Sequence, residues 1–240
     1  MEEIYEDEYL DIQFKYEFDS CIGEIEGNRY VQDIRVSIIK TDEFGNNPIV
    51  IGKGNIKLLL LEQAMHDHYD IFEIFDMCEY TMRIGGMIYD FDNCEIKEDL
   101  QKKLFGDELM LNPNICIFER MTILPECRGL GIGAKFVKDR YNFFSSACGL
   151  IVMQPFPLQL EAVGSGGRRD EFERNMKFEE MEQNSRKATK SLKDYYKRIG
   201  YISVKGYKDL MFLVPGFRNK KLDAIDMSEM ILNPKYRDAE

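Results

Sequence analysis

One stretch constrains this chain more than any other. NICIFERMTIL (114–124) is an apolar run of strand length, PECRGLGIG follows it at once, and AKFVKDRYNFFSSA (134–147) then reads as a helix. The turn holds three glycines, Gly129, Gly131 and Gly133. Without side chains they let main-chain N–H groups approach an anion closely, and the helix that follows adds unpaired donors and a favourable dipole. The physical expectation is a cradle for phosphate, a pyrophosphate above all. The usual nucleotide patterns do not fit it. No GxxxxGK[ST] string occurs. Read from Gly131 and Gly133, the third glycine of a dinucleotide fingerprint falls on Phe136. Read from Gly129 and Gly131, it falls on Ala134, which a relaxed pattern allows, but the next strand, GLIVMQ, brings no acidic ribose ligand.

The rest of the composition sets bounds. At 240 residues, with 44% hydrophobic and 31% charged residues, the chain is expected to be globular and able to bury its own core. No apolar run reaches the ~18–20 residues of a membrane span, IKLLLL (56–61) being only strand-sized. The start, MEEIYEDEYLD, has neither the basic nor the apolar part of a signal peptide, so a cytoplasmic protein without membrane contact is expected. Six cysteines with no CxxC spacing argue against a zinc ribbon or a disulfide framework. His66 and His68, in HDH, read as a solvated surface, and no metal is implied.

The net charge of −11 is unevenly spread. Residues 1–110 carry 26 Asp+Glu against 10 Lys+Arg, whereas residues 111–240 carry 17 against 22. An acidic chain is a poor general nucleic-acid binder, so no nucleic-acid partner is expected, despite a basic run at 184–208. The acidic half suits a cationic ligand.

Along the chain, YLDIQFKYEF (9–18) and RYVQDIRVSII (29–39) alternate as strands, with turns at Gly23–Gly27 and 42–48. IVIGKGNIKLLLLE (49–62) reads as a third strand. The spacing of Met65, Tyr69, Phe72, Phe75 and Cys78 predicts one helix over 63–83, ended by Gly85-Gly86. A short helix is expected around Glu98–Leu104. Residues 167–199 are helix-compatible in two pieces, the second stopped by Gly200. YISVKG (201–206) and DLMFLVP (209–215) read as a strand pair, and the tail has weak periodicity around Ala224–Ile231.

The string TILPECRGLGIGAKFV sets Arg128, Gly131 and Gly133 in an R-x-x-G-x-G pattern behind a strand ending ILPE. It resembles the acetyl-coenzyme A loop of the GNAT superfamily of N-acetyltransferases. KDYYKRIGY (193–201) resembles that family's Tyr-bearing helix with its Y-x-x-x-G-F ending, here Tyr196, Gly200 and Tyr201, and GLIVMQ suits its central strand. These landmarks cover roughly residues 114–214. The resemblance implies one GNAT-like domain over 1–240 of α/β (α+β) class. Its mixed, mostly antiparallel twisted sheet would be flanked by helices, with a V-shaped splay between two central parallel strands. Residues 1–113 would serve the acceptor side, 114–214 the coenzyme, and 215–240 would form a tail.

The resemblance also implies site residues. Main-chain groups of Met121, Thr122 and Ile123 would pair with pantetheine. Arg128, Gly129, Leu130, Gly131, Ile132, Gly133 and Ala134 would hold the pyrophosphate, although Arg128 on a tight turn also reads as a surface arginine. Tyr196 matches the acid that protonates the departing thiolate, with Tyr195 as its neighbour. A phenol, with an ordinary pKa near ~10, is protonated at neutral pH. Glu119, read as sharing a face with Ile117 and Met121, is the candidate base, ahead of Glu161. The implied activity is acetyl transfer from acetyl-CoA to a primary amine of a small molecule or peptide, by direct attack in a ternary complex. The alternative is an inactive acyl-CoA-binding sensor of the same fold. Two departures stand out: the β-β-β-α order of the N-terminal half, and a charged stretch at about 168–187 that reads as an insertion.

Overall fold

A computed structural model describes residues 9–19, 26–41, 44–161 and 171–234; residues 23–25 of the turn expected at Gly23–Gly27 and the start of the one at 42–48 lie outside these. Three long strands come first: β1 (Tyr9–Glu17), β2 (Val31–Thr41, after a 3-10 turn at Glu26–Tyr30) and β3 (Ile49–Leu59). Their alternating pattern holds, with Ile34, Val36 and Ile38 of β2 buried on one face. Next come α1 (Leu61–His66), α2 (Ile71–Asp76), α3 (Glu79–Ile88), a small ribbon of β4 (Tyr89–Asp90) and β5 (Glu95–Ile96), and α4 (Glu98–Phe105). The second half runs β6 (Ile115–Ile123), α5 (Ile132–Phe144), β7 (Leu150–Met153), α6 (Glu171–Asn175), α7 (Ser185–Arg198), β8 (Met211–Leu213), α8 (Lys220–Asp223) and β9 (Ile231–Leu232).

Seven strands make one mixed sheet in the order β8-β7-β6-β3-β2-β1-β9. Every neighbouring pair is antiparallel except β6 and β7, which are parallel. Helices cover both faces. Phe136 and Val137 of α5 and Tyr196 of α7 pack with Ile38, Ile56 and Phe118 on one side. Ile74 and Phe75 of α2 and Ile84 and Ile88 of α3 pack with Ile117 and Val152 on the other. A strand covered on both faces must be apolar throughout, which is why NICIFERMTIL and GLIVMQ do not alternate. No helix among the described residues is long and apolar enough to cross a membrane.

Several elements differ from expectation. The helix predicted over 63–83 is three short ones. His68 takes a left-handed backbone (φ 56°) after α1, and the Asp70 side chain accepts a hydrogen bond from Phe72 N at 2.8 Å to start α2. Gly85 and Gly86 do not end a helix but lie inside α3. A Cβ at Gly85 would sit 2.5 Å from the Phe75 ring, so the glycine serves the close approach of α2 to α3. Residues 201–206 form no strand: a single bridge, Ile202 to Phe212, is their only pairing among the described residues. The charged piece before α7 contains one five-residue helix and a 3-10 turn, with 162–170 outside the described residues. The tail forms α8 at Lys220–Asp223, and β9 pairs with the start of β1.

Candidate active site

β7 pairs with only the first four residues of β6, the last register being Phe118 with Met153. Beyond that point the two strands part, while β6 runs on alongside β3 to Ile123. Glu119 sits at the parting. Arg120 faces Asn55 and Phe118 faces Ile56, so Glu119 is the extra residue of a β-bulge. The ladder beyond the bulge fixes which main-chain groups look into the gap. Leu124 N donates to Ile51 O at 2.8 Å, and alternation then turns Thr122 toward β3 and the N–H and C=O of Met121 and Ile123 toward the opening. The Ile123 carbonyl accordingly accepts from Arg128 Nε at 2.9 Å.

The opening is a cleft of about 670 Å³. Residues 118–123 of β6 form one wall, and the 153–159 segment that leaves β7 forms the other. The Gly129–Ala134 turn closes one end; Leu130 is the one residue of it that does not line the cleft and packs against the core instead. Gly129 (φ 77°) and Gly131 (φ 80°) take left-handed backbones that other residues resist. Gly131 O accepts from Ala134 N and Lys135 N, which leaves the Ile132 and Gly133 amides ahead of the first intrahelical acceptor. Gly133 is needed for space: a Cβ there would lie 2.7 Å from Tyr195 Oη and 3.2 Å from Met121 Cε. Arg128 is not a loose surface arginine. Its Nη2 also donates to Met176 O at 2.7 Å, so it ties the end of β6 to the segment after α6.

Both tyrosines of α7 line the cleft, at different depths. The Tyr195 hydroxyl reaches Gly133 at the glycine turn, and burial pushes its phenol up to about 12. Tyr196 is 5% exposed, edge-on to Tyr201 at 5.3 Å, and burial, then the neighbouring phenols Tyr201 and Tyr195, push its pKa well above the ordinary range. Both are fixed in the protonated form at neutral pH.

Glu119 requires a correction. It shares a face with Ile117 but not with Met121, because the bulge shifts the alternation by one. Met121 and Ile123 face α5, whereas Glu119 lies 4.0 Å from Lys57 Nζ on the side of α1–α3. Tyr80 of α3 approaches Glu119 and Arg120 from that side. Its buried hydroxyl has no hydrogen-bond partner among the described residues, and the Gln154 N–H lies near it without reaching hydrogen-bond geometry. Glu161 does not line the cleft; it pairs with Arg120 at 2.9 Å on the rim. His66 and His68 are exposed, and no three His, Cys, Asp or Glu side chains gather as a metal-binding group among the described residues.

The sequence reading missed part of the lining. Ala188, Ser191 and Leu192 precede Tyr195 at helical spacing, so α7 periodicity would have found them. Met176, Phe178 and Met181 come from the insertion, where no pattern pointed to the site.

No protein-family model and no curated protein matches this chain. Among solved structures, one titled "The crystal structure of KacTA-DNA complex" is similar, with a TM-score of 0.38 and 12% identity over 88% of this chain and 96% of that one.

Proposed function

We propose that the chain is an acyltransferase of the GNAT kind, moving an acetyl group from acetyl-CoA to a primary amine. The observation that carries this reading is the fork: an apolar parallel strand pair that separates at Phe118 and Met153, with a glycine turn and helix start at the cleft's end. A pantetheine arm fits the gap because the N–H and C=O of Met121 and the N–H of Ile123 face it along the strand edge, the Ile123 carbonyl being taken by Arg128. A diphosphate fits the turn because Gly129, Gly131 and Gly133 leave the amides bare. Arg128, through the donor atom that does not already bind a carbonyl, can add charge there.

The chemistry follows from the groups that flank the parting. The attacking amine must be neutral, and Glu119, on the α3 side, takes its proton in this reading, directly or through water. The Met121 or Ile123 N–H can donate to the carbonyl oxygen as it gains negative charge, in a geometry already fixed by the strand. The C–S bond then breaks with its electron pair on sulfur, and Tyr196 O–H supplies the proton. Solvent returns one to Tyr196.

Thiol release from acetyl-CoA over a panel of primary amines tests the reading. At least one amine is expected to support turnover, and Tyr196→Phe is expected to lower turnover by about tenfold or more with little change in acetyl-CoA affinity. Coenzyme binding without turnover on any amine would leave the sensor alternative standing instead.

A further inference from the structure

We propose that Arg140 is a positioning residue for this reaction: its guanidinium, buried behind the cleft floor, stabilises the negative charge that forms at Tyr196 and the thiol sulfur as the thioester breaks. The inference rests on reading the cleft as a thioester site. Arg140 lies on α5 facing the sheet and is 0% exposed. Its Cζ stands 3.7 Å from the centroid of the Phe118 ring, and its Nη2 donates to Tyr201 Oη. Phe118 is the last residue of β6 that pairs with β7, so the cation sits one ring thickness behind the fork. Tyr201 in turn stacks edge-on against Tyr196.

What sets this arginine apart is the lack of a carboxylate counter-charge; the acidic group near it is the Cys116 thiol, which Cys148 and then Arg140 draw below the ordinary thiol range. Among the described residues no carboxylate lies within ion-pair distance of it, and its Nε and Nη1 have no hydrogen-bond partner. The groups that face it are phenols and thiols: Tyr16 of β1, Cys116 of β6, Cys148 ahead of β7, Tyr196 of α7, and Tyr201. Asp139, next to it in sequence, accepts instead from Tyr16 Oη at 2.7 Å. A buried cation with one phenol as its hydrogen-bond acceptor and no carboxylate is costly to desolvate, and well-packed apolar replacements of buried charges are often neutral or stabilising. The same charge becomes favourable once an anion appears close by in a water-poor site. Proton donation by Tyr196 creates that anion. The C–S electron pair goes to sulfur, the phenol proton follows it, and the phenolate left behind stands against Tyr201, which Arg140 binds, within electrostatic reach of the guanidinium.

The test uses coenzyme A itself as the probe. The thiol of bound coenzyme A is titrated by its thiolate absorbance, as the difference between complex and free protein, in the wild type, Arg140→Met and Arg140→Lys. Arg140→Met is expected to melt no lower than the wild type and to bind coenzyme A equally well where the thiol is protonated. It should titrate the bound thiol about one unit higher, a tenfold change in thiolate population, and lower kcat about tenfold at unchanged KM for acetyl-CoA. Arg140→Lys should restore most of both. A bound thiol that titrates alike in wild type and Arg140→Met would overturn the role of Arg140 alone. Failure of the wild type to bind coenzyme A would overturn the function reading and this inference with it. If Arg140→Met does not fold, Tyr201→Phe, which removes the hydrogen bond, is expected to raise the bound thiol's titration in the same direction; no shift there would also overturn the proposal.

Discussion

Gly131 and Gly133 meet different demands within one turn. Gly131 holds a left-handed backbone with open space where a side chain would point, so the strain of a substitution there is conformational. Gly131→Ala is expected to lower unfolding free energy by about 1–2 kcal/mol in urea denaturation, without a steric clash to relieve. Gly133 has a backbone any residue adopts, and its constraint is the Tyr195 hydroxyl and Met121 above it. Gly133→Ala should therefore displace Tyr195 and weaken acetyl-CoA binding more than it weakens the fold, as calorimetry and a melting curve on the same variant would show. The sequence marks both positions as glycines of one motif; which constraint acts at which glycine depends on α7, which is 50 and more residues away in the chain. Glu119 makes the opposite case. Its strand was legible from apolar length, but its face was not, because a bulge of one residue leaves no trace in hydrophobic periodicity.

β6, α5 and α7 stand close to where their patterns place them, since each has a long buried stripe and a clear end. The short pieces did not read so well. α1, α2 and α3 share three- and four-residue spacing across two breaks, and β8 is three residues long, too short for a period to register. The charged stretch ahead of α7, about 168–187, left no pattern that pointed to the cleft. Its described part holds Met176, 3% exposed, against the cleft and is tied down by Arg128 and by Gln159, which donates to Glu182 O at 3.0 Å. Arg128→Ala removes two part-buried hydrogen bonds to main-chain carbonyls, one of them the tie to Met176. The variant should be cut faster by a protease between 171 and 182 while the global melting temperature falls only modestly. Equal cleavage rates in both proteins would mean the segment is held by its apolar contacts alone.

Across the molecule, a two-faced sheet places many phenols in apolar surroundings. Burial holds Tyr16, Tyr80, Tyr89 and Tyr196 above the ordinary tyrosine range, Tyr80 to about 12. A phenol with a folded-state pKa above its unfolded value binds its proton more tightly in the folded state. It contributes full stability below the unfolded pKa of about 10, and that contribution is lost as pH rises past it. Chemical denaturation should therefore give a flat tyrosine contribution through neutral pH and a steep loss of stability above about pH 10. The binding of the coenzyme's diphosphate-linked nucleotide at the glycine turn is tested most directly by calorimetric titration with acetyl-CoA beside acetyl-pantetheine, which has the thioester and arm but neither the diphosphate nor the phosphorylated adenosine beyond it. Saturable heat from acetyl-CoA with binding at least about 100-fold weaker for acetyl-pantetheine is the predicted result. Equal affinity for the two, or no heat from either, would contradict it.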